Sequence, residues 1–179
     1  MTDKLRQHKS ADVSMLSISQ ATTATFTDLY FQHTFLFFIQ VGSKRVLCPI
    51  NGELIGHSND VMIFPPGSMV TLENRPVLDA DYRATGICFP HHMIKAVFSN
   101  KNSNTEPIGI QLVQDCADQS LQVLNTIEAT LNDSKLPAPI RQHRLLEPLI
   151  WLKYNGIYLS PQEEEKPLSN VRRLIETDL

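Results

Sequence analysis

The chain has 179 residues, enough for one core-forming domain with a small appendage. Hydrophobic residues make up 42% and charged residues 20%, the balance of an ordinary folded domain, and a net charge of -3 gives no overall electrostatic footprint for nucleic acid. The polar start MTDKLRQHKSADVS has no apolar h-region of a secretory signal, and the longest apolar run, Phe35 to Ile39, is far too short to span a bilayer.

Residues 1–13 read as a flexible tail. A β-rich region follows, with strands expected at 24–30, 34–41, 44–50, 52–55, 60–64, 68–74 and 82–89. These runs are short and rich in β-branched and aromatic residues. Gly42-Ser43, Asn51-Gly52 and Asn59-Asp60 supply turn chemistry between them. Many short strands with tight turns predict a sandwich or barrel rather than a parallel α/β sheet.

The pattern changes after Pro90. A short helix is expected over 91–99, then a polar loop over 100–107. Over 115–132, Leu121, Leu124, Ile127 and Leu131 recur at helical spacing, with Val123 beside them. Pro137 and Pro139 break the chain, and a second helix is expected over 140–155, kinked at Pro148 and capped by Gly156. The short link predicts an antiparallel helix pair. Residues 160–167 (SPQEEEKP) have linker composition, and 168–179 (LSNVRRLIETDL) carry one apolar face on Val171, Leu174, Ile175 and Leu179. That last helix is too short to stand alone, so the chain is expected to stop inside a further unit. Cys48, Cys88 and Cys116 are an odd number with no C-x-x-C pair, and all lie among apolar neighbours. Buried thiols in a reducing cytoplasm are the reading they favour.

The stretch Asn59–Asn74, NDVMIFPPGSMVTLEN, is the most specific in the chain. An apolar run ends at Pro65-Pro66-Gly67, and Val70 and Leu72 then alternate with Met69, Thr71 and Glu73. The spacing resembles the second cupin motif, G-x5-P-x-G-x2-H-x3-N. Pro65, Gly67 and Asn74 stand at their places. Asn59 replaces the first glycine, as a residue that tolerates a left-handed backbone can. Val70 replaces the metal-binding histidine, and no H-x-H occurs in the chain. No metal and no cofactor are therefore expected, and a metal-dependent enzyme loses its main support. There is also no G-x-S-x-G, no H-E-x-x-H and no phosphate-cradling glycine loop, so no enzyme activity is expected.

A β-rich cupin-like region, two helices, a polar linker and a helix opening V-R-R-L-I resemble, in that order, the N-terminal part of AraC/XylS-family transcription regulators. The resemblance implies a fold that is mainly β with α: a cupin-like barrel or jelly roll (a double-stranded β-helix) followed by an antiparallel helix pair. It divides the chain into a tail (1–13), a barrel domain (14–99), a helical dimerisation subdomain (100–159), a linker (160–167) and the start of a missing helix-turn-helix domain (168–179). It implies a cytoplasmic bacterial protein that forms a homodimer, responds to a small effector or a regulatory protein, and meets promoter DNA only through the absent domain, with no membrane partner. Relatives in the family bind fatty acids or sugars, which makes a carboxylated apolar effector the expected ligand.

Candidate site residues follow. Phe35, Phe37, Phe64, Val70, Leu72 and Tyr82, with Cys88, either line a cavity for such an effector or simply fill a core. Arg45, Arg75, Arg83 and His33 are candidate carboxylate anchors, because an arginine grips a carboxylate with two parallel hydrogen bonds. Leu121, Leu124, Ile127, Leu131, Leu145, Leu149, Trp151 and Leu152 are candidate dimer contacts, because the helices carry more apolar surface than a barrel needs. Two rivals stay open: a packed barrel controlled by a protein partner, and an enzyme on a cupin scaffold.

Overall fold

A computed structural model describes residues 12–99 and 107–161. Residues 1–11 of the expected tail (1–13), most of the polar loop (100–106), and residues 162–179, which hold most of the expected linker and the whole V-R-R-L-I segment, lie outside the described residues, while Val13 of the expected tail is buried in the core.

Among the described residues, nine strands and three helices follow one another: β1 (Ser14–Gln20), β2 (Ala24–Phe31), β3 (Thr34–Val41), β4 (Ser43–Cys48), β5 (Gly52–His57), β6 (Val61–Phe64), β7 (Ser68–Arg75), β8 (Tyr82–Phe89), α1 (His91–Val97), β9 (Gln111–Val113), α2 (Ala117–Asn132) and α3 (Ala138–Tyr154). They form two antiparallel sheets, one in the order β1-β8-β3-β6-β9 and the other β2-β7-β4-β5. The fold is mainly β with α, a cupin-like jelly roll with two helices packed together at its side. The five-stranded sheet is covered on both faces. Phe35, Phe37 and Ile39 of β3 point between the sheets, while Leu36 and Phe38 point into a second core shared with the helices. This is why β3 is a continuous apolar run rather than an alternating one.

Two strands escaped the sequence expectations. In β1, Leu16 and Ile18 alternate with serines, so the strand reads as polar although its inner face is buried. β9 has three residues, too few for a periodicity. It pairs with β6, so part of the stretch assigned to a helical subdomain is hydrogen-bonded into the barrel's sheet. The helix expected at 91–99 ends at Val97, where the Phe98 N–H caps on the Ile94 carbonyl. Helix α3 begins at Ala138, ahead of expectation, because Pro137 and Pro139 occupy its N-terminal end, where a missing N–H removes no helical bond. It is helical on both sides of Pro148.

The Asn59–Asn74 stretch folds as its residues require. Asn59 takes φ 74° and Gly67 φ 85°, both left-handed. Ser68 closes the Pro65-Pro66-Gly67 turn by donating from Oγ to the Pro65 carbonyl at 2.6 Å. Buried Asp60 accepts from the His57 N–H at 2.8 Å and the Asp115 N–H at 3.1 Å, and the Cys116 N–H donates to the Asn59 carbonyl at 3.0 Å. The start of α2 is thereby fastened to the first turn of the motif.

Candidate functional site

The interior between the sheets is a core of aromatic and aliphatic side chains, and one lysine enters it. On β4 the side chains alternate, so Lys44, Val46 and Cys48 face inward while Arg45 and Leu47 face outward. Lys44 is opposite Asn74 of β7 in register, and its Nζ donates to Asn74 Oδ1 at 2.7 Å. The rings of Phe37 and Tyr82 lie with their centroids 4.5 and 5.5 Å from Nζ.

Lys44 is 1% exposed and no carboxylate pairs with it among the described residues. Two effects oppose each other there. The ring faces favour the ammonium by about 1–2 kcal/mol. Stripping an ammonium of water costs several kcal/mol even after relaxation, and that cost wins. Burial accordingly lowers the Lys44 pKa from 10.5 to about 7. Tyr82 is fully buried, its hydroxyl has no hydrogen-bond partner among the described residues, and burial pushes its pKa far up, so it remains a proton donor. An unpaired buried hydroxyl costs about 1–3 kcal/mol. Lys44 and Tyr82 are thus under-satisfied polar groups in largely apolar surroundings.

Phe35, Phe37, Phe64, Val70, Leu72, Tyr82 and Cys88 are brought together in that wall. Phe31, which the sequence reading passed over, joins them, with its ring centroid 4.8 Å from Phe64 and 5.2 Å from Phe35. The proposed arginine anchors are elsewhere. Arg45 faces outward and pairs with Glu53 at 3.0 Å, exposed Arg75 pairs with Glu73, and exposed Arg83 lies on the other face of β8 from Tyr82. His33 sits in the turn between β2 and β3. The cation inside is Lys44. Its signal was present in the sequence, since strict alternation with Val46 and Cys48 places it on the inner face. A lysine is ordinarily assigned to solvent, and that habit hid it.

The helices also require correction. Leu124, Ile127, Leu145, Leu149 and Leu152 are buried in the core against the five-stranded sheet, so they cannot face a second copy. Leu131 and Trp151 are partly buried against the same core. Of the expected dimer contacts, Leu121 alone is fully exposed, at 62%, alongside Ile140, Ile150 and Tyr154 of α3. The apolar surplus read from the sequence is absorbed by the outer face of a sheet covered on both sides. Among the described residues, no three His, Cys, Asp or Glu side chains gather as metal ligands, and Val70 faces the lumen where the motif would place a histidine. No described helix is long and apolar enough to cross a membrane.

No family model and no curated protein matches the chain by sequence. Solved structures match it in fold. An apo variant of ToxT from Vibrio cholerae superposes with a TM-score of 0.65 at 11% identity, over 93% of this chain and 65% of that one. Wild-type ToxT bound to an unsaturated fatty acid gives 0.58 at 13% identity, over 93% and 62%. ToxT bound to (E)-4-(8-methylnaphthalen-1-yl)but-3-enoic acid gives 0.58 at 14% identity, over 93% and 65%. ToxT is an AraC-family regulator, and the fold matches its cupin-like regulatory domain. The chain spans less than two thirds of the length of these ToxT chains.

Proposed function

We propose that the chain is the effector-sensing part of an AraC-type transcription regulator, and that its effector is an apolar carboxylic acid held between the two sheets by Lys44. The observation that carries this reading is Lys44 itself: a buried amine that has, among the described residues, one neutral hydrogen-bond acceptor and no counter-charge, set among aromatic and aliphatic side chains. A carboxylate supplies the missing charge. Lys44 then binds as an ammonium in a charge-assisted hydrogen bond, Tyr82 can donate a second, and the effector's tail lies along the phenylalanines. Both ligands named in the ToxT complexes, an unsaturated fatty acid and a butenoic acid, are of this class.

Signal transfer is a matter of shared strands. β3 and β8 each present one face to the lumen and the other to the helices. A displacement of β3 by an effector therefore reaches α2 and α3 through Leu36 and Phe38. Control of promoter DNA would then belong to a helix-turn-helix unit joined through 160–167, and contact between two copies would draw on Leu121, Ile150 and their exposed neighbours.

The test is direct binding. A long-chain fatty acid titrated into the purified chain should bind in the micromolar range, and Lys44→Met should weaken it at least tenfold. Arg45→Ala and Arg83→Ala should leave it unchanged. Binding that is absent, or indifferent to Lys44, overturns the reading.

A further inference from the structure

We infer that Lys44 is also a covalent capture site, at which its amine condenses with the carbonyl of an apolar aldehyde to form an imine inside the barrel. The inference rests on the lumen being the effector site proposed above, and it adds a second ligand class and a different chemistry.

An imine needs an unprotonated amine, an aldehyde delivered to it, and protection from water. The surroundings of Lys44 supply the first and the third, and the effector site proposed above supplies the second. An ammonium has three N–H bonds to satisfy and finds one acceptor among the described residues, Asn74 Oδ1 at 2.7 Å. A neutral amine needs less: it donates one hydrogen to Asn74 and keeps its lone pair free for attack. With the pKa lowered to about 7, roughly half of Lys44 is neutral at pH 7, on the order of a thousandfold more than for a solvated lysine. Desolvation of a lysine in an apolar site is one established means of making it a nucleophile. Phe35, Phe37, Phe64, Val70 and Leu72 select an apolar chain over a sugar-like aldehyde.

The step balances without an oxidant or reductant. Nζ attacks the carbonyl carbon, a C–N bond forms, and the carbonyl π pair moves to oxygen, which takes a proton to give a carbinolamine. Both Nζ protons end on that oxygen: the first loss gives the neutral carbinolamine, and with the second the C–O bond breaks, the nitrogen lone pair forms C=N, and the oxygen leaves as water. The buried Tyr82 hydroxyl, protonated and without an acceptor among the described residues, is the lumen's available donor to that oxygen. Exclusion of bulk water slows the return to free amine.

The experiment is reductive trapping with a saturated probe that has no other electrophilic carbon. The chain is incubated briefly with dodecanal and sodium cyanoborohydride at pH 7, and labelled lysines are mapped by peptide mass spectrometry. Lys44 should gain one dodecyl group at least tenfold faster than exposed Lys95 and Lys135. Lys44→Arg, which cannot form the imine under these conditions, should lose the label. Label confined to Lys95, Lys135 and other surface lysines, with dodecanoate binding intact, overturns the capture site and leaves the carboxylate reading standing. Failure of both dodecanal labelling and dodecanoate binding overturns both. Circular dichroism of Lys44→Arg confirms that loss of label is not loss of fold.

Discussion

Lys44 and Asn74 face each other across β4 and β7 and share a 2.7 Å hydrogen bond inside the barrel, each the other's partner in a wall that is otherwise largely apolar. Removing one member leaves the other buried and unpaired, at about 1–3 kcal/mol. Removing both takes away that penalty together with the desolvated amine. Asn74→Ala should therefore destabilise the chain by about 1–3 kcal/mol, while Lys44→Met/Asn74→Leu should be at least as stable as wild type. Urea unfolding of the four chains measures the coupling. Single-variant effects that simply add to within about 0.5 kcal/mol would show that the pair does not act as a unit.

The pH dependence of stability has a definite sign. Lys44 falls from 10.5 to about 7 on folding, so between those values the unfolded chain holds the extra proton. Stability then rises with pH. The burden is fully present below pH 7 and relieved by about 10.5, and a shift of this size corresponds to on the order of 5 kcal/mol. Cys116 and Tyr82, whose folded pKa values are raised by burial, act in the opposite direction at alkaline pH. The difference between wild type and Lys44→Met cancels them. That difference should move steadily in favour of wild type from pH 7 to 10 in chemical denaturation, and a flat difference would mean that Lys44 stays charged in the fold.

Effector binding should show the reverse slope. A carboxylate needs the Lys44 ammonium, so above pH 7 binding must bring in a proton. The affinity of dodecanoate should fall about tenfold per pH unit above pH 7 until the pKa of the bound state is reached. Calorimetry in buffers of different ionisation enthalpy should register the uptake of close to one proton at pH 8. Binding that releases protons, or none, contradicts an anchor at Lys44.

Much of the fold was written in local pattern, and the parts that were not have physical reasons. Pro65-Pro66-Gly67 and Asn59 each announce a backbone state, and the chain takes those states. The alternation of β7 shows which of its side chains face inward, and Val70 and Leu72 are there. Leu145 and Leu149 illustrate the limit. Periodicity says that a helix has an apolar face and is silent on what covers it, and here the five-stranded sheet covers Leu145 and Leu149. Lys44 illustrates another. Its inward position follows from the alternation of β4, but its significance follows from lacking a carboxylate, which depends on strands distant in sequence.

Asp60 is a structural pin. Its two oxygens accept from the His57 and Asp115 amides, joining the turn before β6 to the start of α2. Asp60→Ala removes the shared acceptor of two partly buried N–H donors and should cost about 1–3 kcal/mol. Asp60→Asn retains one acceptor oxygen and should recover part of that. Thermal unfolding ranks the variants, and amide exchange at Asp115 should quicken in Asp60→Ala well before global unfolding. If exchange there changes only with global stability, the pin has no local role.

Gly42 and Gly67 separate two costs that usually travel together. Both have positive φ, 93° and 85°. At Gly67 a Cβ meets nothing within 4 Å, so Gly67→Ala carries backbone strain alone, about 1 kcal/mol. At Gly42 a Cβ would come 2.3 Å from the Arg75 carbonyl oxygen and 3.1 Å from the Tyr82 ring. The obstruction is backbone of a central strand and cannot swing aside. Gly42→Ala adds a forced movement of β7 against β4, the two strands that carry Asn74 and Lys44, for a total of about 3 kcal/mol or more. It should also weaken dodecanoate binding, because it shifts the pair that holds the carboxylate, whereas Gly67→Ala should leave affinity within twofold of wild type. Equal stability losses for the two alanines would mean that β7 moves freely past Gly42, and the rigid register assumed for the Lys44–Asn74 pair would fall with it.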